Sequence, residues 1–192
     1  MTISAAPPRL MDADEFWATY ADSTDFYELV AGIPVMSPHE TFENSATATR
    51  LAHLLTMRLG ENYQYAAHAG LHLPAEPGQP VTIRIPDFVA RTRRPGRPHR
   101  GTPEGIELVA EVLSPSSTVT DWIDKRREYA AAGIPHYVVI DVRGEVPALW
   151  LMTDPTGDPA TYTDPTGDGT SVTFDIDGTT VTLTSDDIAA AL

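Results

Sequence analysis

The chain contains no cysteine in 192 residues, which excludes disulfides, thiolate catalysis and cysteine-ligated zinc together. No apolar run approaches the roughly 20 residues that a membrane-spanning helix needs. The opening stretch Met1–Pro8 has no basic segment followed by an apolar core, so it does not have the form of a secretory signal. The length suits one domain with a single sizeable core, and a hydrophobic content of 42% is ordinary for a globular chain. The expectation is a cytoplasmic single domain over residues 1–192, without membrane association.

Lysine is nearly missing as well. Of 13 basic residues, 12 are arginine and one is Lys125. A compact ammonium and a planar guanidinium are not interchangeable, so the lone lysine is either chance in an arginine-biased sequence or a position that arginine cannot fill. Basic residues are absent from 151–192, where eight aspartates supply −8 of the formal net charge of −14. That balance opposes general affinity for nucleic acid, which depends on Lys and Arg meeting phosphates. Against it stands a strip with Arg84, Arg91, Arg93, Arg94, Arg97 and Arg100 opposed by Asp87 alone. Such a strip either neutralises phosphates or is a solvated loop.

Asp12 followed three residues later by Glu15 has capping-box spacing and predicts a helix over 12–21. Residues 26–30 and 33–36 read as a β-hairpin across Ala31-Gly32. A helix is expected over 43–59, with strands over 63–67, 71–73, 81–85, 86–90, 106–113, 136–141 and 148–152. A further helix is expected over 120–132, ended by Gly133. Beyond Asp154 the motif Asp-Pro-Thr-Gly-Asp occurs twice, ten residues apart. These copies predict turns of an antiparallel β-meander over 151–192 with a short terminal helix, and neither has the ligand spacing of a calcium loop.

The residues that could carry chemistry lie in the middle. Glu111 interrupts the apolar run Ile106–Leu113, and a carboxylate there needs a cation or a wet cleft to offset its burial. Asp87 follows Pro86 at the start of a neighbouring strand. Adjacent strands could bring both carboxylates together, a donor set suited to Mg²⁺. Lys125 follows on the next helix, sharing a face with Asp121 and Tyr129; the plain alternative is a surface Asp121–Lys125 pair of little energetic weight. Other constellations fail: the six histidines form no HExxH, Ser114, Ser116 and Ser117 lie in no GxSxG elbow, and no glycine loop cradles phosphate.

The segments YELVAGIPVMSP (27–38), IPDFVA (85–90), ELVAEVLSPSS (107–117) and DKRREYAAAGIPHYVVID (124–141), taken in this order, resemble the Uma-type restriction endonuclease family of the PD-(D/E)xK nuclease superfamily. The resemblance implies an α/β (α+β) fold with a restriction-endonuclease-like core over 12–150, a mixed central β-sheet flanked by helices and a C-terminal antiparallel β extension over 151–192. It implies a Mg²⁺-dependent (or Mn²⁺-dependent) endonuclease acting on DNA, commonly as a homodimer. Asp87 matches the PD aspartate and Glu111 the acidic residue of the (D/E)xK element. Leu113 stands where many superfamily members have lysine, and Lys125 fits the displaced lysine position. Glu28 matches an upstream acidic residue of the metal site, and the Val112 carbonyl is the expected main-chain ligand. Asn44 replaces a histidine frequent in the family, and neither it nor His39 is assigned a catalytic role. The alternatives are a non-catalytic or regulatory dimeric binding module that keeps the fold, and action on RNA or another phosphodiester.

Overall fold

The computed structural model describes residues 9–37, 41–75, 78–93, 101–115 and 117–192. Its first helix, α1 (Ala13–Tyr20), starts where Asp12 accepts the Glu15 N–H at 2.8 Å, an N-cap that satisfies an otherwise orphaned donor. The hairpin of β1 (Phe26–Val30) and β2 (Ile33–Ser37) turns through Ala31 (φ 48°) and Gly32 (φ 77°). Two successive positive φ values match the twist of the flanking strands. After α2 (Phe42–Leu59), capped by Thr41, come β3 (Tyr63–Ala66), β4 (Leu71–Leu73), β5 (Thr82–Arg84), β6 (Phe88–Thr92) and β7 (Ile106–Val112).

Two sheets divide these strands. One is antiparallel, in the order β2-β1-β5-β4. The other adds β8 (His136–Asp141), β9 (Ala148–Thr153) and β12 (Thr166–Gly169) in the order β12-β9-β8-β7-β6-β3. It is mixed, because β7 and β8 run parallel while its other pairs are antiparallel. The expected strands over 81–85 and 86–90 thus fall in different sheets. Pro86, which has no N–H to give a ladder, lies at the break between them.

Alternation along the central strands assigns their faces. Phe88, Ala90, Leu108, Ala110, Val138 and Ile140 pack on α2 with Leu51 and Leu55. Val89, Val109, Tyr137 and Val139 pack on the other face with Tyr129, Ala130 and Ile134. On that second side Thr120–Lys125 is a π-helical turn running into α3 (Arg126–Ala131). The sequence predicts one α-helix over this stretch, and residue pattern does not distinguish the two windings.

The C-terminal region does not form a simple meander. The short β10 (Thr156–Gly157) and β11 (Ala160–Thr161) pair with each other, and β12 joins the central sheet, so both Asp-Pro-Thr-Gly-Asp copies enter strands rather than turns alone. The hairpin β13 (Ser171–Ile176) and β14 (Thr179–Thr184), followed by α4 (Ser185–Ala189), sends Val172, Phe174, Ile176, Val181, Leu183 and Ile188 into the core under α2. Ile176→Val is therefore expected to lower global stability by about 1 kcal/mol in urea unfolding. An unchanged midpoint would mean that the hairpin melts apart from the core.

Candidate active site

The ladder of β6 and β7 pairs Phe88 with Ala110 and Val89 with Val109. One step further along the same antiparallel register, Asp87 stands level with Glu111, on the face where α3 packs. Asp87 Oδ2 accepts the Val112 N–H at 2.6 Å, which fixes the carboxylate against the end of β7. Glu111 is 2% exposed; its Oε1 accepts from the Tyr129 hydroxyl at 2.6 Å and its Oε2 lies 2.9 Å from Lys125 Nζ. Burial and the neighbouring Glu111 carboxylate hold the Tyr129 phenol well above its ordinary range, so it stays a donor.

Lys125 also meets Asp121 Oδ1 at 3.1 Å and Glu28 Oε1 at 3.9 Å. The expected alternative of a surface Asp121–Lys125 pair is overturned, since the two residues are 1% and 7% exposed. The pattern looked like a surface pair because i, i+4 spacing is the same on any helix face; only the packing of this turn beneath the sheet buries it. Burial alone would lower the Lys125 ammonium, yet Glu111, Glu28, Asp121 and Asp87 hold it well above its ordinary value. Glu111 is pushed up to about 7, by burial first and then by Asp121 and Glu28, against the downward pull of Lys125 and Tyr129.

Glu28, on β1, is anchored from β5. Arg84 Nη1 donates to its Oε2 at 2.7 Å and the Ile85 N–H donates to its Oε1 at 3.0 Å. The rest of the Arg84 guanidinium forks onto Glu128 of α3, at 2.6 and 2.8 Å. Arg84 is thus a buried clamp between two elements, not a member of an exposed basic strip. Of the other strip residues, Arg93 donates to the Glu61 carbonyl at 2.8 Å, Arg91 is half-buried, and Arg94, Arg97 and Arg100 lie outside the described residues, as do His39 and Ser116.

A pattern emerges from burial. Among the described residues the fully buried charged side chains are Glu28, Asp87, Glu111 and Asp121 with Arg84 and Lys125, and all of them meet here. Carboxylates outnumber cations, a costly balance unless a further cation shares the place. Glu28, Asp87, Glu111 and Lys125 line one cleft of about 230 Å³, with Asn44, His68 and Val112 on its walls. The donor set of hard oxygens and surplus negative charge suits a divalent cation such as Mg²⁺. Two contacts stand in the way of a ready cage: Lys125 sits on Glu111, and the Val112 carbonyl accepts from Asn44 Nδ2 at 3.2 Å. No three carboxylate or imidazole groups among the described residues converge as a metal cage in this arrangement.

The family profile described as "Putative restriction endonuclease" (Uma2) matches residues 13–174. The chain belongs to this family. A crystal structure titled "a putative nuclease belonging to DUF820", from Anabaena variabilis ATCC 29413, superposes on the Uma2 chain with a TM-score of 0.68 at 13% identity. The match covers 96% of this chain and 99% of that one, and at such identity it speaks for the fold, a mixed α+β architecture as expected. No curated protein matches significantly. No helix among the described residues is long and apolar enough to cross a membrane.

Arg84, Glu128, Asp121 and the Tyr129 hydroxyl belong to the site's network but carry no sequence signal as such. The one available hint was the helical spacing that puts Asp121, Lys125 and Tyr129 on a common face.

Proposed function

We propose that this chain is a divalent-metal-dependent endonuclease that hydrolyses DNA phosphodiester bonds. The observation that supports it most is the meeting of the buried charged side chains, anionic in excess, in one cleft of a chain from a nuclease-described family. Asp87, Glu111 and the Val112 carbonyl would hold Mg²⁺ or Mn²⁺, with Glu28 in support. The cation would supply Lewis-acid stabilisation of the charge that develops on the phosphate. Lys125, whose ammonium lines the cleft, would direct an N–H toward the attacking water or a phosphate oxygen. Asp87 is kept in register by the Val112 N–H, which fixes its carboxylate at a rigid strand end. A homodimer is part of the proposal, because cutting both strands needs two sites, an analogy at the level of fold.

The test joins Mg²⁺ and Mn²⁺ calorimetry with cleavage assays on duplex DNA, single-stranded DNA and RNA. Metal-dependent DNA cleavage supports the reading. Metal binding without cleavage of any of these, or no metal binding at all, sinks it. A second reading, a partner-binding module that retains the fold, is favoured by the Asn44 bond to the Val112 carbonyl, which occupies an expected ligand position. It expects no metal heat in the same titration.

Because Glu111 is raised to about 7, a cation must displace its proton at lower pH. Affinity for Mn²⁺ is expected to climb by up to about tenfold per pH unit below that value and to level off above it. Calorimetry in buffers of different ionisation heat would count the released proton. A pH-independent affinity across this range would remove Glu111 from the ligand set.

A further inference from the structure

Both oxygens of Glu111 already have partners, the Tyr129 hydroxyl at 2.6 Å and the Lys125 ammonium at 2.9 Å. Each oxygen keeps a second lone pair, but a divalent cation bound there would stand beside the ammonium. Like charges so close in a buried site repel, so the ammonium is the partner that a cation on Glu111 drives off. An ammonium driven off Glu111 inside this buried cleft must keep a close counter-charge, since an unpaired buried charge is strongly unfavourable. Glu28 is poorly placed to serve. It lies 3.9 Å from Nζ, and its two oxygens already accept from Arg84 and from the Ile85 N–H.

Asp121 has what Glu28 lacks. Its Oδ1 stands 3.1 Å from the same Nζ, accepts no aligned hydrogen bond among the described residues, and belongs to a side chain only 1% exposed. Its backbone is pinned by the Tyr137 hydroxyl, which donates to the Asp121 carbonyl at 3.0 Å. Asp121 and Lys125 share the π-helical turn, so the ammonium can change partners by side-chain torsion without moving the helix. Building on the metal-dependent reading above, we propose that Asp121 is a positioning residue that receives the Lys125 ammonium when a divalent cation takes Glu111. With Glu111 ionised, no covalent bond changes in the exchange; the ammonium gives up one carboxylate and rests on another. A swivelling point charge can make that exchange, whereas a planar fork is committed to its two-point geometry. This gives a physical reason for a lysine in a chain whose other basic residues are all arginine.

The test is a cycle of Mn²⁺ affinities on the full chain: wild type, Asp121→Asn, Lys125→Met and the double variant. With the lysine present, Asp121→Asn is expected to weaken Mn²⁺ binding about tenfold or more. Without the lysine the same change should leave affinity within about twofold, as for uncoupled sites. Equal losses in both backgrounds would mean simple attraction or a structural role and would overturn the proposal while leaving metal binding intact. Wild type that binds neither Mn²⁺ nor Mg²⁺ would overturn it together with the reading it rests on.

A second measurement needs no lysine variant. Lysine labelled with ¹⁵N at Nζ gives one ammonium resonance, because Lys125 is the sole lysine. Saturating Mg²⁺ should shift that resonance and keep it slowly exchanging in wild type, and should lose it to water exchange in Asp121→Asn. A resonance that stays put while calorimetry records Mg²⁺ binding refutes the exchange.

Discussion

Asp87→Asn is expected to lower metal-dependent cleavage by about a hundred- to a thousandfold without loosening the fold. The amide keeps the shape of the carboxylate and retains an oxygen for the Val112 N–H, now met at 2.6 Å. What it loses is charge, in a buried group where Glu28, Asp87, Glu111 and Asp121 face only Arg84 and Lys125 among the described fully buried side chains. Without divalent ion the variant should therefore melt no lower than wild type. The difference appears on adding Mg²⁺. Ligand at a hundred times its dissociation constant stabilises the native state by about 2.7 kcal/mol, or about 5–10 °C in melting temperature for a chain of this size. Wild type should show that rise and Asp87→Asn should lack most of it. Undiminished cleavage by the variant, or an equal thermal gain, would remove Asp87 from the metal site. Lys125→Ala is a poorer probe, because it strips a cation from a buried anionic group and mixes stability with chemistry.

The fold was readable where local pattern and burial coincide. The apolar runs of β7 and β8 announce central strands, and Glu111 stands out because it breaks the first of them. Asp12 and Gly32 mark a cap and a turn by mechanisms confined to a few residues. That two neighbouring strands could bring Asp87 beside Glu111 was readable from the pattern, whereas their roles as a motif pair came from the resemblance. Arg84 reads as part of a basic strip because five arginines follow it at 91–100, while its surroundings are set by β5 lying beside β1, where Leu29 pairs with Ile83. That pairing joins residues far apart in the chain, and no short window contains it. Glu128 is hidden in the same way: in a helix segment rich in charge, one carboxylate looks like another until a buried guanidinium is found opposite it. The π-helical turn at Thr120–Lys125 has no local signature either, so the inward aim of Asp121 and Lys125 had to come from tertiary packing.

Arg84→Met is expected to destabilise the protein by about 3–5 kcal/mol, a fall of about 6–20 °C in melting temperature. The guanidinium is 3% exposed and uses three nitrogens, one on Glu28 at 2.7 Å and two on Glu128 at 2.6 and 2.8 Å. Methionine fills part of the space but leaves the Glu28 carboxylate buried with the Ile85 N–H and a lysine 3.9 Å away. The cost is thus mainly an orphaned charge, and the cause can be separated from packing. Adding Glu28→Gln to Arg84→Met should recover a large part of the loss, because an amide tolerates burial better than a lone carboxylate. Arg84→Lys should fall between, since an ammonium cannot fork onto Glu128 while reaching Glu28. A loss below about 1 kcal/mol, the scale of an exposed ion pair, would return Arg84 to the solvated strip that its sequence context suggested. Recovery in the double variant would instead show that the β1–β5–α3 clamp holds Glu28 at the cleft against the natural cost of burying it.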